Sequence, residues 1–205
     1  MGKEQLGFDD LLRQAVDANN KREFNRDSAH LPGEIEAAIR YHRTQIKAFH
    51  AAVQAADLDT ADKIRDEAHM MAVKVNHGEA GILADRDSPG YVIARRCAAK
   101  AGKVPLFGQE GRFRIGVGGV TVLIAMDGMF GLGGPLPGFA AHAVDFDPPF
   151  FSETGYRSFL QLQNVPPEPG LTTAEYVTIA IANHIASMKG KLVPILPQYR
   201  PKETK

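Results

Sequence analysis

The sequence predicts an α+β protein: a helical region containing an antiparallel helical hairpin, then a small antiparallel β-sheet packed against helices. Three observations predict it. Apolar residues between Ile35 and Val75 recur at alternating steps of four and three, the period changes to two at Arg112, and a capping box at Thr172 opens one last helix.

In chain order, Phe8, Leu11, Leu12, Ala15 and Val16 share a helical face, and Asp9 and Asp10 suit the positive end of a helix dipole. A helix is expected from Phe8 to Phe24, weakened in its middle by Asn19-Asn20. Polar residues from Asn25 to His30 lead to Pro32, a first-turn proline. Ile35, Ile39, His42, Ile46, Phe49 and Val53 then form one seam. Across a turn at Ala56 to Asp59, the residues Ala61, Ile64, Ala68, Met71 and Val75 form the facing one. Gly78 supplies a left-handed cap after Asn76-His77. Ser88-Pro89 caps a short helix over Tyr91 to Lys100, closed by Gly102.

Arg112 to Val117 alternates polar and apolar residues, Gly118-Gly119 is a two-residue turn, and Val120 to Ala125 returns, which makes a β-hairpin. The second arm is apolar on both faces and belongs inside the sheet. The seven Gly and Pro residues between Asp127 and Gly138 predict a long mobile loop. Phe139 to Phe146 predicts a third strand, and residues 156–163 a short helix capped by Ser152, with a strand as the alternative. Thr172 with Glu175 opens the final helix, Leu171 and Tyr176 staple it, and Gly190 stops it before an extended tail from Lys191 to Lys205. The expected division places a helical region at 1–87 and a small α+β domain with its tail at 88–205.

Composition narrows the function. Of 205 residues, 44% are hydrophobic and 23% charged, enough for a real core, and the formal net charge is zero. Neutrality argues against a mimic of DNA and against binding nucleic acid with the whole surface. Charge is nonetheless uneven: residues 1–88 hold 12 Lys/Arg against 16 Asp/Glu, and residues 89–205 hold 12 against 8. A single cysteine, Cys97, excludes an internal disulfide and a zinc pattern. The first ten residues lack the apolar core of a signal peptide, and no window approaches the roughly 20 apolar residues of a membrane helix. A cytoplasmic protein that does not contact membrane is the expectation.

The stretch from Phe139 to Leu160 gathers His, Asp, Glu, Ser, Tyr and Arg. His142, Asp145, Asp147 and Glu153 have the oxygen and imidazole chemistry of a metal site. Asp145 and Asp147 share strand parity, but His142 has the opposite parity, and Asp residues before Pro148-Pro149 are ordinary turn chemistry. Tyr156 and Arg157, with Glu153 beside them, suit a phosphate or carboxylate ligand, whereas Ser152 and Thr154 also suit a helix cap. The glycine runs lack the Gly-Lys-Ser/Thr of a phosphate loop. Arg95, Arg96, Lys100, Lys103, Arg112 and Arg114 form the densest basic run, readable as a phosphate-contacting ribbon or as a solvated edge. His42 and His184 fall on apolar stripes and read as packing residues.

The resulting expectation is a non-enzymatic regulatory protein that binds a macromolecule without cofactor or metal, through Arg95, Arg96, Lys100, Arg112, Arg114, Glu153, Tyr156 and Arg157. The partner is another protein first and nucleic acid second, with a homo-oligomer formed through the helical hairpin as a further expectation. The alternative is a metal-dependent hydrolase or phosphoryl-transfer enzyme centred on His142, Asp145, Asp147 and Glu153.

Overall fold

The computed structural model describes residues 7–131, 138–159 and 168–200. Helix α1 (Phe8–Asp27) runs unbroken past Phe24, because Asn19 donates its side-chain amide to Glu23 one turn on, 3.1 Å away, instead of competing with the backbone. Leu11, Leu12 and Val16 are exposed on it, and it lies close to no other described element.

Helices α2 (Ile35–Gln54) and α3 (Leu58–Val75) form the antiparallel hairpin. The seam buries Ile39, His42, Ile46, Phe49 and Val53 against Ala61, Ala68 and Met71, the small alanines allowing close approach. The turn passes through Ala56 at a φ of 56° and starts α3 with Asp57, whose carboxylate accepts from the Thr60 amide at 3.1 Å. At its far end His77 and Gly78 are both left-handed, and the Gly78 amide returns to the Val73 carbonyl at 2.9 Å. The ammonium of Lys74 donates to the carbonyls of Ser28 and Leu31, fastening the loop that leads into α2.

Helix α4 (Pro89–Cys97) packs on both hairpin helices. It stops short of Lys100, because the Ala99 amide leaves the helix to donate to the Glu110 carbonyl at 2.8 Å. That bond delivers the chain to the sheet.

Strands β1 (Gly111–Val117), β2 (Val120–Met126), β3 (Phe139–Ala143) and β4 (Tyr156–Phe159) pair antiparallel in the order β1-β2-β3-β4. Gly118 and Gly119, at φ of 58° and 81°, make the turn that only positive φ at both central positions permits. β2 is interior, as its two apolar faces require. β3 ends three residues earlier than expected. The Asp145 carboxylate there accepts from the Asp147 amide at 3.0 Å, and Pro148-Pro149 offer no amide to a ladder.

The helix expected over 156–163 is instead strand β4 over 156–159, and 160–163 lie outside the described residues. Two tertiary facts decide it: backbone pairing with β3, and Phe159 stacked on Phe139 with ring centroids 4.6 Å apart. Ser152 and Thr154 accordingly cap no helix. Their hydroxyls bond each other at 2.9 Å and close the turn that starts β4.

Helix α5 (Thr173–Ser187) carries the expected capping box and ends through Lys189 and Gly190, both left-handed. It covers the inner face of the sheet, with Ile185 against Gly118 and His184 edge-on to Phe159. The following segment is not a free tail: Val193 and Phe150 exchange backbone bonds at 2.7 and 2.8 Å, Ile195 is buried, and Pro197–Tyr199 makes a 3₁₀ turn. The end of the expected tail, 201–205, lies outside the described residues. Buried side chains from the hairpin, the inner sheet face and α5 form one apolar cluster. No described helix is long and apolar enough to cross a membrane.

Candidate functional site

Antiparallel register assigns each strand residue to a face. The inner face carries Phe113, Ile124 and Ala141 in one row and Met126, Phe139 and Phe159 in the next, all buried. The outer face carries the row Arg114, Leu123, His142, Tyr156 and the row Arg112, Ala125, Ala140, Ser158. No residue of those two outer rows is buried, and among the described elements the one helix in substantial contact with a strand is α5, on the inner side.

The outer face is chemically one-sided. Of the three arginines in the four strands, Arg112 and Arg114 stand on this face and Arg157 does not, and the strands contain no Asp or Glu. Among the described residues none of these guanidiniums forms an ion pair, although other cations find partners: Arg96 takes Glu36 at 3.1 Å and Arg200 takes Asp147 at 2.9 Å. Arg112 and Arg114 are exposed on β1, two positions apart and therefore side by side. Across the sheet His142 meets Tyr156 edge to face, with ring centroids 5.0 Å apart. Burial lowers the His142 pKa and the field of Arg112 lowers it further, so at neutral pH its imidazole is uncharged and free to stack or to hydrogen-bond. Arg157 lies on the opposite parity, exposed on the edge strand.

At the Arg112 end the face runs into a cleft of about 640 Å³. Its walls are Tyr91 and Ala94 of α4, Ala98 and Ala99 after it, Arg112 and Ala125 of the sheet, and the segment from Asp127 to Gly131. That segment, the first part of the expected mobile loop, is anchored. Arg65 donates to the carbonyls of Met129 (3.1 Å) and Gly131 (2.9 Å), His69 meets the Met129 carbonyl at 3.0 Å, and Phe130 is buried against the rings of His42 and His69. Residues 132–137 of that loop lie outside the described residues. Burial raises the Asp127 carboxyl above the usual carboxylate range, and neighbouring Glu110, also in the lining, raises it further.

The remaining residues expected in a site are dispersed. Arg95 donates to the Arg86 carbonyl at 2.6 Å, Arg96 is bidentate to Glu36 beyond α4, and Lys100 is exposed in the turn after that helix. Glu153 is exposed in the turn before β4, where its backbone carbonyl accepts from Leu196. His142, Asp145, Asp147 and Glu153 do not converge, and the described residues contain no group of three or more His, Cys, Asp or Glu placed to hold a metal ion.

A second polar cluster, legible in part as His42 on its seam, lies inside the hairpin. Glu67 accepts from His30 (2.8 Å), Tyr41 (3.0 Å) and Gln45 (3.4 Å), and Gln45 also bonds His42 at 3.2 Å. Burial acts to raise the Glu67 carboxyl, but the hydrogen bonds from His30, Tyr41 and Gln45 together outweigh it, so its pKa falls below the ordinary value. This network ties the two helices together, with His42 and Gln45 buried at its inner end and His30 exposed at its outer end.

Fold and site together define an α+β protein whose four-stranded sheet turns one face inward and presents the other as a basic, aromatic surface ending in a cleft. Two Escherichia coli proteins, each named Protein KlcB, are similar in sequence. One is 35% identical over 174 residues, covering 84% of this chain and 42% of that protein. The other is 44% identical over 113 residues, covering 53% of this chain and 24% of that protein. The chain thus spans less than half the length of these curated relatives. No family model matches the chain, and no solved structure matches it.

Proposed function

We propose that this protein is a non-enzymatic, regulatory binder of single-stranded nucleic acid, which lies across the outer face of the sheet. One observation carries the reading: the outer face bears two arginines, Arg112 and Arg114, without ion-pair partners among the described residues, and no carboxylate, beside the exposed Tyr156 ring paired with His142. Guanidiniums meet phosphates, and an exposed aromatic ring accepts the face of any base, so the combination binds strands with little regard to sequence. A flat sheet face suits a splayed single strand better than a duplex, whose bases are already stacked.

A protein partner fits this face less well. A protein interface would place an apolar anchor at its centre, whereas this face offers Leu123 amid alanines and cations. The overall neutrality of the chain limits long-range attraction, so affinity is modest and depends on the local patch. Fluorescence anisotropy with a labelled oligonucleotide at low salt tests the reading. Binding of single strand over duplex, weakened by Tyr156→Ala, is the expected result. No detectable binding of either at low salt overturns it.

A further inference from the structure

The cleft beside Arg112 is chemically unlike the face it adjoins. It is apolar along Ala94, Ala98 and Ala125, flanked by the ring of Tyr91, and holds the Asp127 carboxyl half-buried. Among the described residues neither Asp127 nor Glu110 receives a side-chain hydrogen bond or an ion pair from the protein. A half-buried acceptor without a donor, next to a second carboxyl, is destabilised, and a ligand that brings N–H groups relieves it. The raised Asp127 pKa expresses the same deficit. The 2.9 and 3.1 Å bonds from Arg65 to the carbonyls of Gly131 and Met129 fix the segment on which Asp127 stands, so the acceptor is held in place before any ligand arrives.

Resting on the nucleic-acid reading above, we infer that this cleft is a subsite for a single unstacked base, and that it prefers bases with an exocyclic amino group over thymine or uracil. The shape follows from the walls. A planar heterocycle slides between Tyr91 and the alanines, and about 640 Å³ is ample for it. Polarity follows from depth: Arg112 is exposed and Asp127 half-buried, so phosphate stays with the cation near solvent while the base edge points at the carboxyls. Carboxylates repel phosphate and accept from amino groups such as that of cytosine, whereas thymine presents carbonyl oxygens at the corresponding positions. The outer sheet face thus supplies affinity and the cleft supplies choice.

The test uses three short labelled oligodeoxynucleotides of equal length, all cytosine, all adenine and all thymine, with the full chain and with Asp127→Asn and Ala98→Leu. The inference expects cytosine and adenine strands to bind about tenfold more tightly than thymine. It also expects Asp127→Asn to erase most of that preference while leaving thymine binding unchanged, and Ala98→Leu, which fills the cleft, to do the same. A thermal melt close to that of the wild type establishes that each variant is folded. If all three strands bind the wild type equally, or if the preference survives both variants, the base subsite is overturned while the binding surface stands. If no strand binds at all, the surface itself fails and the subsite fails with it.

Discussion

Lowering the pH should loosen the helical hairpin through one residue. His42 is buried in the α2–α3 seam, hydrogen-bonded to Gln45 and stacked on Phe130. Burial, chiefly, and the nearby His69 bring its pKa from 6.5 down to about 4, with Gln45 opposing. The folded protein therefore refuses a proton that the unfolded chain accepts near 6.5. Stability is intact above that pH and is lost progressively as pH falls toward about 4, where the folded state protonates too. A tenfold difference in proton affinity is about 1.4 kcal/mol, so the full separation corresponds to roughly 3 kcal/mol. Between about pH 7 and pH 5 the expected loss is roughly 2 kcal/mol. Glu67, whose lowered pKa shifts its own loss to below its ordinary 4.5, contributes little in that window. Urea unfolding followed by circular dichroism measures the quantity directly. His50, His142 and His184 also have lowered values, so the comparison must be with His42→Leu, which removes one titration and leaves the rest. The variant should show a distinctly shallower pH dependence. An equal loss of stability in His42→Leu and wild type would refute the assignment of His42 as a buried neutral base.

Two further perturbations probe the framework. Ile46→Asp places a carboxylate in the buried centre of the hairpin seam and should cost about 3–5 kcal/mol, visible as a large drop in melting temperature; a wild-type melt would mean the seam is misassigned. Gly108→Ala should cost about 1–3 kcal/mol more than Gly102→Ala in chemical unfolding. Both glycines have positive φ, but a methyl at Gly108 would lie 2.7 Å from the fully buried Phe49 ring, and one at Gly102 meets nothing within 4 Å. Equal losses would show that Phe49 has room to move.

How much was legible in the sequence depended on how local each determinant is. The α2–α3 seam, the Gly118-Gly119 hairpin and the Thr172–Glu175 box are written within a few residues or in a simple period, and all three appear as read. Strand β4 was misread because its determinant, pairing with β3 and the Phe139–Phe159 stack, lies about a strand-pair away. The first residues after β2 looked mobile from their glycines, yet Arg65 and His69, more than fifty positions earlier, hold the carbonyls of Met129 and Gly131. The site divided in the same way. Arg112 and Arg114 could be placed on one face by parity alone. That Tyr156 shares their face, and Arg157 does not, required the register of two intervening strands. The basic run read as one patch in sequence separates in space, since Arg95 and Arg96 turn to Arg86 and Glu36. The cleft left almost no trace in the sequence, because the alanines on and just after α4 and the separate Glu110 and Asp127 carry no motif.

The central claim, that the outer sheet face meets a phosphate backbone, is tested most directly by the salt dependence of single-strand binding for wild type and Arg112→Glu/Arg114→Glu. Each phosphate neutralised on a single strand contributes about −0.7 to the slope of log K against log salt. Both arginines are exposed on β1, and neither is in an ion pair among the described residues, so reversing them leaves the core untouched and the fold intact. The account predicts weaker binding to every sequence and a slope shallower by roughly 1.4. A folded double variant with unchanged affinity and unchanged slope would contradict it.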